Sequence, residues 1–160
     1  MSAPASFEEA LASWPAGVTL LTIADGRDDI GVTVSACCPV SVNPPLVLVS
    51  LIADSYPAEV LGRADAFALT LLAADQRVLA GRFASAGRPS ARLLLAGVDH
   101  HRGSLSGALI PDRGLAAFEC QAAERIPAGD HLLVVARVVA VPYAAESGEP
   151  LIRFRSRYLR

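Results

Sequence analysis

The chain is a succession of strand-length apolar segments separated by turn residues, and this pattern restricts its fold more than any other feature. The segments cover residues 17–24, 31–36, 46–53, 66–73, 116–125, 131–141 and 150–154. Helical patterns between them are short, and no G-x-G-x-x-G motif follows the first segment, which excludes a doubly wound dinucleotide-binding sheet. Six or seven strands with little helix predict a mainly β protein with short helices, folded as a Greek-key-like antiparallel barrel that is closed or nearly closed.

Length and charge restrict the number of domains and the kind of partner. At 160 residues, we expect a single domain over residues 1–160. Hydrophobic residues make up 52% and charged residues 19%, which predicts a subunit interface, since large exposed apolar patches are unusual on monomers. The segment 131–141 is apolar on both faces, which predicts a strand buried on both sides. The net charge of −2 gives no support for a nucleic-acid or membrane partner.

Residue usage excludes several kinds of site. All 14 basic residues are arginine, which rules out a Schiff-base lysine and a lysine-containing phosphate loop. The three cysteines, Cys37, Cys38 and Cys120, do not read as a disulfide framework and are expected to be small buried hydrophobes. The run Asp99–His101 lacks a third ligand at a metal-site spacing, so no metal is predicted. No basic-then-apolar leader opens the chain, and a cytoplasmic location is expected.

Three short helices are predicted from their start signals. Ser6 and Glu9 form a capping box ahead of a helix that stops before Pro15. Ser55 and a proline at position 57 can start a second helix. Asp75 is predicted to cap a third, QRVLAGRFA, and the loop at residues 85–92 follows it.

One strand has an unusually small and hydroxylated face. In GVTVSACCPVSVNPPLVLVSL, residues 31–51, the side chains of Gly31, Thr33 and Ser35 share one face. Two interpretations remain open: close packing within the barrel wall, or a ligand that approaches the backbone. A flat heterocycle fits the second interpretation, because main-chain donors and acceptors reach such a ring only where side chains are small.

Three further features are compatible with a ligand. Residues 50–56, SLIADSY, collect hydroxyls ahead of a helix start, which suggests an anion site. His131 follows the turn PAGD and is either a half-buried strand residue or a site residue. The tail RFRSRYLR places three arginines on one face if it is extended, either along a solvated edge or against the phosphates of a dinucleotide. These arginines are Arg153, Arg155 and Arg157.

Taken in order, several stretches resemble the flavin reductase-like family. They are PAGVTLLT, GVTVSACCPVSVNPPLVLVSL, LAGRFA, FEC, GDHLLVVARV and PLIRFRSRY. The resemblance implies an FMN-binding split barrel that forms a homodimer. It also implies an NAD(P)H:flavin oxidoreductase that transfers hydride from NADH or NADPH to FMN or FAD and supplies reduced flavin to a partner monooxygenase.

Site residues follow from this resemblance, position by position. The backbone of Thr33, Val34, Ser35 and Ala36 would hold the isoalloxazine ring, and Ser50, Leu51, Ile52 and Ala53 would line it from the neighbouring strand. Ser55, Arg82 and Phe83 would serve the ribityl and phosphate end, beside Tyr56. His131 would stand near the nicotinamide as the catalytic residue, and Tyr158 would close the site. Many members have asparagine where this chain has Ala53 and a hydroxyl where it has Tyr56, which leaves FMN or FAD open.

Two other functions remain open from the sequence. A flavin-binding carrier or redox sensor without reductase turnover would hold its flavin tightly and oxidise NADH slowly or not at all. A flavin-dependent enzyme with its own organic substrate would form a product without any partner oxygenase.

Overall fold

The computed structural model describes residues 6–26 and 28–159. Its strands are β1 (Ala16–Gly17), β2 (Thr19–Asp25), β3 (Asp28–Val34), β4 (Cys37–Ser41), β5 (Leu46–Ile52), β6 (Ala66–Leu71), β7 (His100–Arg102), β8 (Leu109–Pro111), β9 (Ala116–Ala128), β10 (His131–Ala144), β11 (Ile152–Phe154) and β12 (Arg157–Tyr158). Its helices are α1 (Phe7–Ala12), α2 (Tyr56–Arg63), α3 (Arg77–Ala84) and α4 (Ala91–Leu94), with a 3-10 turn at Ala74–Gln76. The predicted mainly β class with short helices is confirmed.

A seven-stranded antiparallel sheet forms the body of the protein, in the order β3-β2-β6-β9-β10-β5-β4. Its two outermost strands, β3 and β4, are consecutive in the chain and are joined only by Ser35 and Ala36. The backbone N–H of Ser50 in β5 donates to the Ala36 carbonyl at 2.8 Å. One bent segment therefore pairs with β2 at one end and with β5 at the other, which wraps the sheet into a barrel.

Alternation along β2 separates two hydrophobic clusters. Leu21 and Ile23 pack with Phe67 in one cluster, whereas Leu20 packs with Phe83 of α3 in the other. Successive strand residues point to opposite faces, so β2 is covered on both sides. Helices α3 and α4 contact the neighbouring strand β3, and this contact places the α3–α4 segment beside the bend.

In contrast to β2, strand β10 is buried on one face only. Val134 and Ala136 are fully buried, whereas Val139 and Val141 are 39% and 54% exposed. The prediction that 131–141 is buried on both sides is therefore wrong for a single chain. We name the outward side of β5 and β10 the outer sheet face; its register pairs Leu133 with Ser50, Val135 with Leu48 and Arg137 with Leu46.

The C-terminal tail is a hairpin. Arg155 and Ser156 have φ angles of 47° and 60°, the positive values that a type I′ turn needs at both central residues. The tail is therefore not extended throughout, and the condition under which the three arginines would share one face is not met, because this turn separates β11 from β12. The hairpin joins β1, where Ala16 lies opposite Arg153, and the Arg155 N–H donates to the Ala12 carbonyl at the end of α1 at 2.8 Å.

The predicted helix starts are largely confirmed. Ser6 and Glu9 form the capping box of α1, and the Ser55 side chain caps α2. Asp75 does not cap α3, because it lies inside the 3-10 turn and Gln76 occupies the N-cap position without a side-chain cap bond. No helix within residues 6–26 and 28–159 is both long and apolar enough to cross a lipid bilayer.

Candidate active site

An open cleft of about 1550 Å³ runs along the bend between β3 and β4. Its other walls are the end of β5 with the start of α2, the segment 86–90, the start of β10, and α1 together with the C-terminal hairpin. Pockets for single small ligands usually measure about 300–1,000 Å³. The cleft is therefore large enough for two flat ligands side by side.

Most of the predicted site residues border this cleft. They are Thr33, Val34, Ser35 and Ala36 of the bend, Ser50, Leu51 and Ile52 of β5, Ser55 and Tyr56 at the start of α2, His131, and Tyr158. Residues from four separate parts of the chain therefore meet at one surface. The pairing of β5 with both β4 and β10 brings the bend and His131 to the end of β5, and the pairing of β11 with β1 and β12 positions Tyr158.

The small face of β3 serves two different neighbours. A Cβ built on Gly31 would lie 2.3 Å from Cε1 of Phe83, so the missing side chain makes room for a buried ring of α3. Close packing therefore explains Gly31. Thr33 and Ser35 border the cleft, and the ligand interpretation stays a prediction for these two positions.

The start of α2 offers backbone donors to the cleft. The Ser55 hydroxyl donates to the Ile52 carbonyl at 2.6 Å and accepts the Ala58 N–H at 3.3 Å. This pair of bonds fixes the end of β5 against the first turn of an eight-residue helix. The partial positive charge of a helix N-terminus favours an anion nearby.

His131 is held beside the end of β5. It lies opposite Ile52 in the ladder, and the Ala53 N–H donates to the Asp130 carbonyl at 2.9 Å. The His131 Nδ1 lies 2.7 Å from Oδ1 of Asp130, and the imidazole side chain is 37% exposed. The hydrogen bond from His131 lowers the pKa of Asp130. With Nδ1 engaged by a carboxylate, Nε2 is the nitrogen left for a ligand in the cleft.

Sequence reasoning missed a buried ion cluster at the cleft wall. The Asp29 carboxylate is buried and contacts Arg92 Nε, and it accepts from Arg102 Nη1 at 2.8 Å. Burial alone would raise the pKa of Asp29, but hydrogen bonds from Arg102 and Arg92 outweigh it and lower the pKa. The sequence shows only an acidic residue, Asp29, directly before the apolar part of β3. Its partners Arg92 and Arg102 are 63 and 73 residues away in the chain.

Arg88 was also missed, although it borders the cleft. Its Nε–H donates to the Gly31 carbonyl at 2.6 Å, and its Nη1–H donates to the Ser85 carbonyl at 3.2 Å. Burial lowers the pKa of the Arg88 guanidinium. These bonds fasten the segment after α3 to the strand that carries the small face.

Three predicted residues do not reach the cleft. The Ala53 N–H is already bonded to Asp130. Arg82 is directed to the Leu94 carbonyl at 3.2 Å, on the side of α3 that faces α4. Phe83 is fully buried against Gly31. Because Phe83 points into the core, the orientation of α3 about its own axis is fixed. In this orientation the adjacent Arg82 side chain points away from the cleft.

The remaining polar residues show no second centre in the described ranges. Residues 6–26 and 28–159 contain no group of three or more His, Cys, Asp or Glu side chains that could hold a metal ion. The imidazole of His101 contacts the Asp112 carboxylate at the exposed β7–β8 pair, and Arg157 lies outside the cleft wall.

A model of the flavin reductase like domain family matches residues 11–160. The chain belongs to this family. The match covers the bend, the end of β5, the α3–α4 segment, His131 and the C-terminal hairpin, and so includes every wall of the cleft except the first residues of α1.

Named relatives and a solved structure support the assignment to the flavin reductase family. The chain is 36% identical over 156 residues to the NADH-dependent FMN reductase AsuE2 of Streptomyces nodosus subsp. asukaensis, covering 95% of this chain and 82% of the relative. It is 34% identical over 155 residues to the reductase component of 4-hydroxyphenylacetate 3-monooxygenase of Thermus thermophilus, covering 97% and 95%. Its fold is similar to that of the NADH:FAD oxidoreductase SgcE6 of Streptomyces globisporus C-1027, solved with NAD and FAD fragments, with a TM-score of 0.87, 26% identity and coverage of 96% and 89%. The predicted family, split-barrel fold and flavin reductase class are therefore confirmed.

Proposed function

We propose that the cleft binds FMN or FAD together with a reduced nicotinamide dinucleotide, and that the protein uses the dinucleotide to reduce the flavin. The observation that carries this proposal is the wall made by the β3–β4 bend and the end of β5, where small residues border a space large enough for two ligands. Because AsuE2 is named for NADH and FMN, we take this pair as donor and acceptor.

The flavin ring is assigned to the bend. A flavin edge carries carbonyl oxygens and one N–H. We assign to it main-chain groups of Thr33, Ser35 and Ala36, apart from the Ala36 carbonyl, which already accepts from the Ser50 N–H. These groups are accessible because their side chains are small. From β5, Ser50 and Ile52 supply the second side of this ring site.

The phosphate end of the flavin is assigned to the first turn of α2. Ser55 fixes that turn, and its N-terminal partial charge favours an anion. Of Arg82 and Arg88, only Arg88 borders the cleft, and we assign Arg88 to the phosphate end. Tyr56 follows Ser55 at the start of α2 and is 54% exposed, so its phenol is available to the ribityl chain.

His131 and Tyr158 are assigned to the nicotinamide side. When both ligands are bound, the reduced nicotinamide supplies a hydride and the flavin accepts it. The task of the protein is to hold the two rings in register and exclude water. With Nδ1 bonded to Asp130, His131 presents Nε2 to the cleft, where it can orient the nicotinamide amide or hold a proton. Tyr158 also borders the cleft.

A second copy of the chain is assigned to the outer sheet face. This face carries Leu46, Leu48, Leu133 and Val135, and each of these four side chains is partly exposed. It adjoins the cleft, since Ser50 and His131 lie on the same side of the same two strands. A homodimer that covers it would bury β10 on both faces and would complete the wall beside His131.

The wider setting follows from this chemistry. Residues 1–160 act as one catalytic domain, and the reduced flavin passes to a flavin-dependent monooxygenase, the kind of partner implied by the name of the Thermus relative. We place the reaction in the cytoplasm, where thiols remain reduced, because Cys37, Cys38 and Cys120 are all free.

Steady-state assays test the proposal. Purified protein is mixed with NADH and FMN, and absorbance is followed at the flavin and nicotinamide bands; we expect NADH oxidation well above the rate with flavin alone. His131→Ala is expected to lower the rate about tenfold or more, because misplacing a reacting group has effects of that order, while FMN affinity is kept. His100→Ala is the matched control, since His100 is exposed and lies outside the cleft.

The possible outcomes separate the reductase from the carrier. Tight FMN binding without NADH oxidation in the wild type would overturn the reductase and favour a flavin carrier or redox sensor. NADH oxidation that is unchanged by His131→Ala would keep the reductase and remove His131 from the site.

A further inference from the structure

The cleft contains an exposed aromatic surface that the flavin and nicotinamide assignments leave unused. Trp14 is the only tryptophan in the chain, and it borders the cleft while remaining 73% exposed. Helix α1, which precedes it, has no buried residue, so Trp14 does not serve to anchor that helix in the core. A large flat ring in a ligand cleft offers a stacking surface.

Two arginines lie on the hairpin whose backbone pairs with the chain on either side of Trp14. Ala16 is paired with Arg153, and the Arg155 N–H is bonded to the Ala12 carbonyl, so the hairpin that carries both arginines flanks Trp14. Both arginines border the cleft. No carboxylate of residues 6–26 and 28–159 lies within 4.0 Å of either guanidinium group. The Arg155 guanidinium rests over the Phe154 ring at 5.2 Å, which holds it at the turn.

An aromatic plane beside unpaired guanidinium groups matches one chemical class of ligand. Any nucleobase can stack on an aromatic side chain, because every base has a π-face. Guanidinium groups bind phosphate through paired hydrogen bonds. Glu8 also borders the cleft on α1 and would repel phosphate there, so the phosphates belong on the hairpin side of Trp14.

We infer that Trp14, Arg153 and Arg155 form a subsite for the adenosine monophosphate half of a dinucleotide. This inference rests on the proposed function for the presence of a dinucleotide in the cleft. NADH and FAD both contain this half, whereas nicotinamide mononucleotide and FMN lack it. The subsite would therefore discriminate between members of each pair without touching the reacting rings.

Binding measurements test the subsite without any need for turnover. Because Trp14 is the only tryptophan, its fluorescence reports directly on this position, and we expect ADP to quench it saturably in the wild type. Dissociation constants are then measured by calorimetry for NAD⁺ against nicotinamide mononucleotide, and for FAD against FMN. Trp14→Ala is expected to weaken the adenylate-containing member of at least one pair about tenfold and to leave the other member unchanged.

Two further variants keep the test specific. Trp14→Phe retains a stacking ring and should keep most of the affinity. Phe7→Ala removes another aromatic of α1, which is 79% exposed but lies outside the cleft. This variant should leave the relative affinities within both ligand pairs unchanged. A loss confined to NAD⁺ assigns the subsite to the nicotinamide dinucleotide, and a loss confined to FAD assigns it to the flavin.

Other results would overturn the inference. If Trp14→Ala changes neither the ratio of dissociation constants for NAD⁺ and nicotinamide mononucleotide nor the ratio for FAD and FMN, the inference is wrong, whatever the fluorescence shows. An equal loss of affinity for both members of each pair would also overturn it, because Trp14 would then support the whole cleft. These readouts remain valid if NADH oxidation is absent, so a failure of the reductase proposal is recognised separately.

Discussion

Gly31 and Phe83 are in direct contact across the barrel wall, and a Cβ built on Gly31 would lie 2.3 Å from Cε1 and 2.7 Å from Cδ1 of the Phe83 ring. The same Cβ would lie 3.3 Å from the Cβ of Ala91. Because Phe83 is fully buried, its ring has no free space into which to move. We expect Gly31→Ala to lower the free energy of unfolding by about 1–3 kcal/mol, the usual cost of overpacking, as measured by urea denaturation.

Gly62→Ala is the control for this substitution. Gly62 lies in α2, and a Cβ there would meet nothing within 4 Å, so alanine should be neutral or stabilising by up to about 1 kcal/mol. The double variant Gly31→Ala/Phe83→Leu should recover part of the loss. A Gly31→Ala protein as stable as the wild type would show that the two residues are not in contact.

Local patterns in the sequence were sufficient for most of the fold. Apolar runs bounded by turn residues predicted the strands that became β2, β5 and β6, and alternation predicted β9. Ser55 was recognised as a cap because its signal lies within three residues of it. The errors came from long-range contacts. The family resemblance assigned both Arg82 and Phe83 to the site, yet Phe83 is buried behind Gly31 and the Arg82 guanidinium donates to the Leu94 carbonyl.

The remaining omissions have the same physical origin. Asp29 finds Arg92 and Arg102 at separations of 63 and 73 residues, which no local spacing reveals. The tail turns at Arg155 and Ser156 although neither is glycine, so the turn had no compositional signal. The exposed apolar side of β10 is visible in the sequence only as an excess of valine and leucine.

The ion pairs of Asp29 with Arg92 and Arg102 predict that the free energy of unfolding decreases at acidic pH. The folded pKa of Asp29 lies below its usual value of 3.8, so its contribution to stability is fully present above that value and is lost as pH falls through the folded pKa. We expect Asp29→Asn to lower the free energy of unfolding by about 2 kcal/mol near neutral pH, because both arginines lose a charged acceptor. The difference between wild type and variant should shrink as pH falls below about 4.

Denaturant unfolding across this pH range provides the measurement. The buried Glu119, whose pKa is lowered by hydrogen bonds from Ser106 despite the opposing effect of burial, is present in both proteins and cancels in the comparison. A difference that stays constant down to the lowest pH would mean that Asp29 does not titrate with folding.

The outer sheet face predicts the oligomeric state. Val135→Arg or Leu48→Arg, at paired positions of this face, places two like charges in a two-fold interface, because each substitution occurs once in each copy, and like charges across an interface cost several kcal/mol. We expect the wild type to elute as a dimer in size-exclusion chromatography with light scattering, and these variants to shift toward the monomer. Val78→Arg is the control, since Val78 is 70% exposed on α3, away from this face. A monomeric wild type at all concentrations would reject the homodimer.

The bend itself is tested by filling it. Thr33 borders the cleft and its neighbours in β2 and β3 are already paired, so Thr33→Trp adds bulk toward the ligand space without breaking the ladder. We expect FMN affinity to fall by more than about tenfold, which corresponds to about 1.4 kcal/mol, while the thermal midpoint stays close to that of the wild type. Ala96→Trp adds the same ring at an exposed position outside the cleft and should leave FMN affinity unchanged. Undiminished FMN binding by a folded Thr33→Trp protein would place the flavin ring elsewhere, since an indole at this position and a tricyclic ring against the same backbone cannot occupy one space.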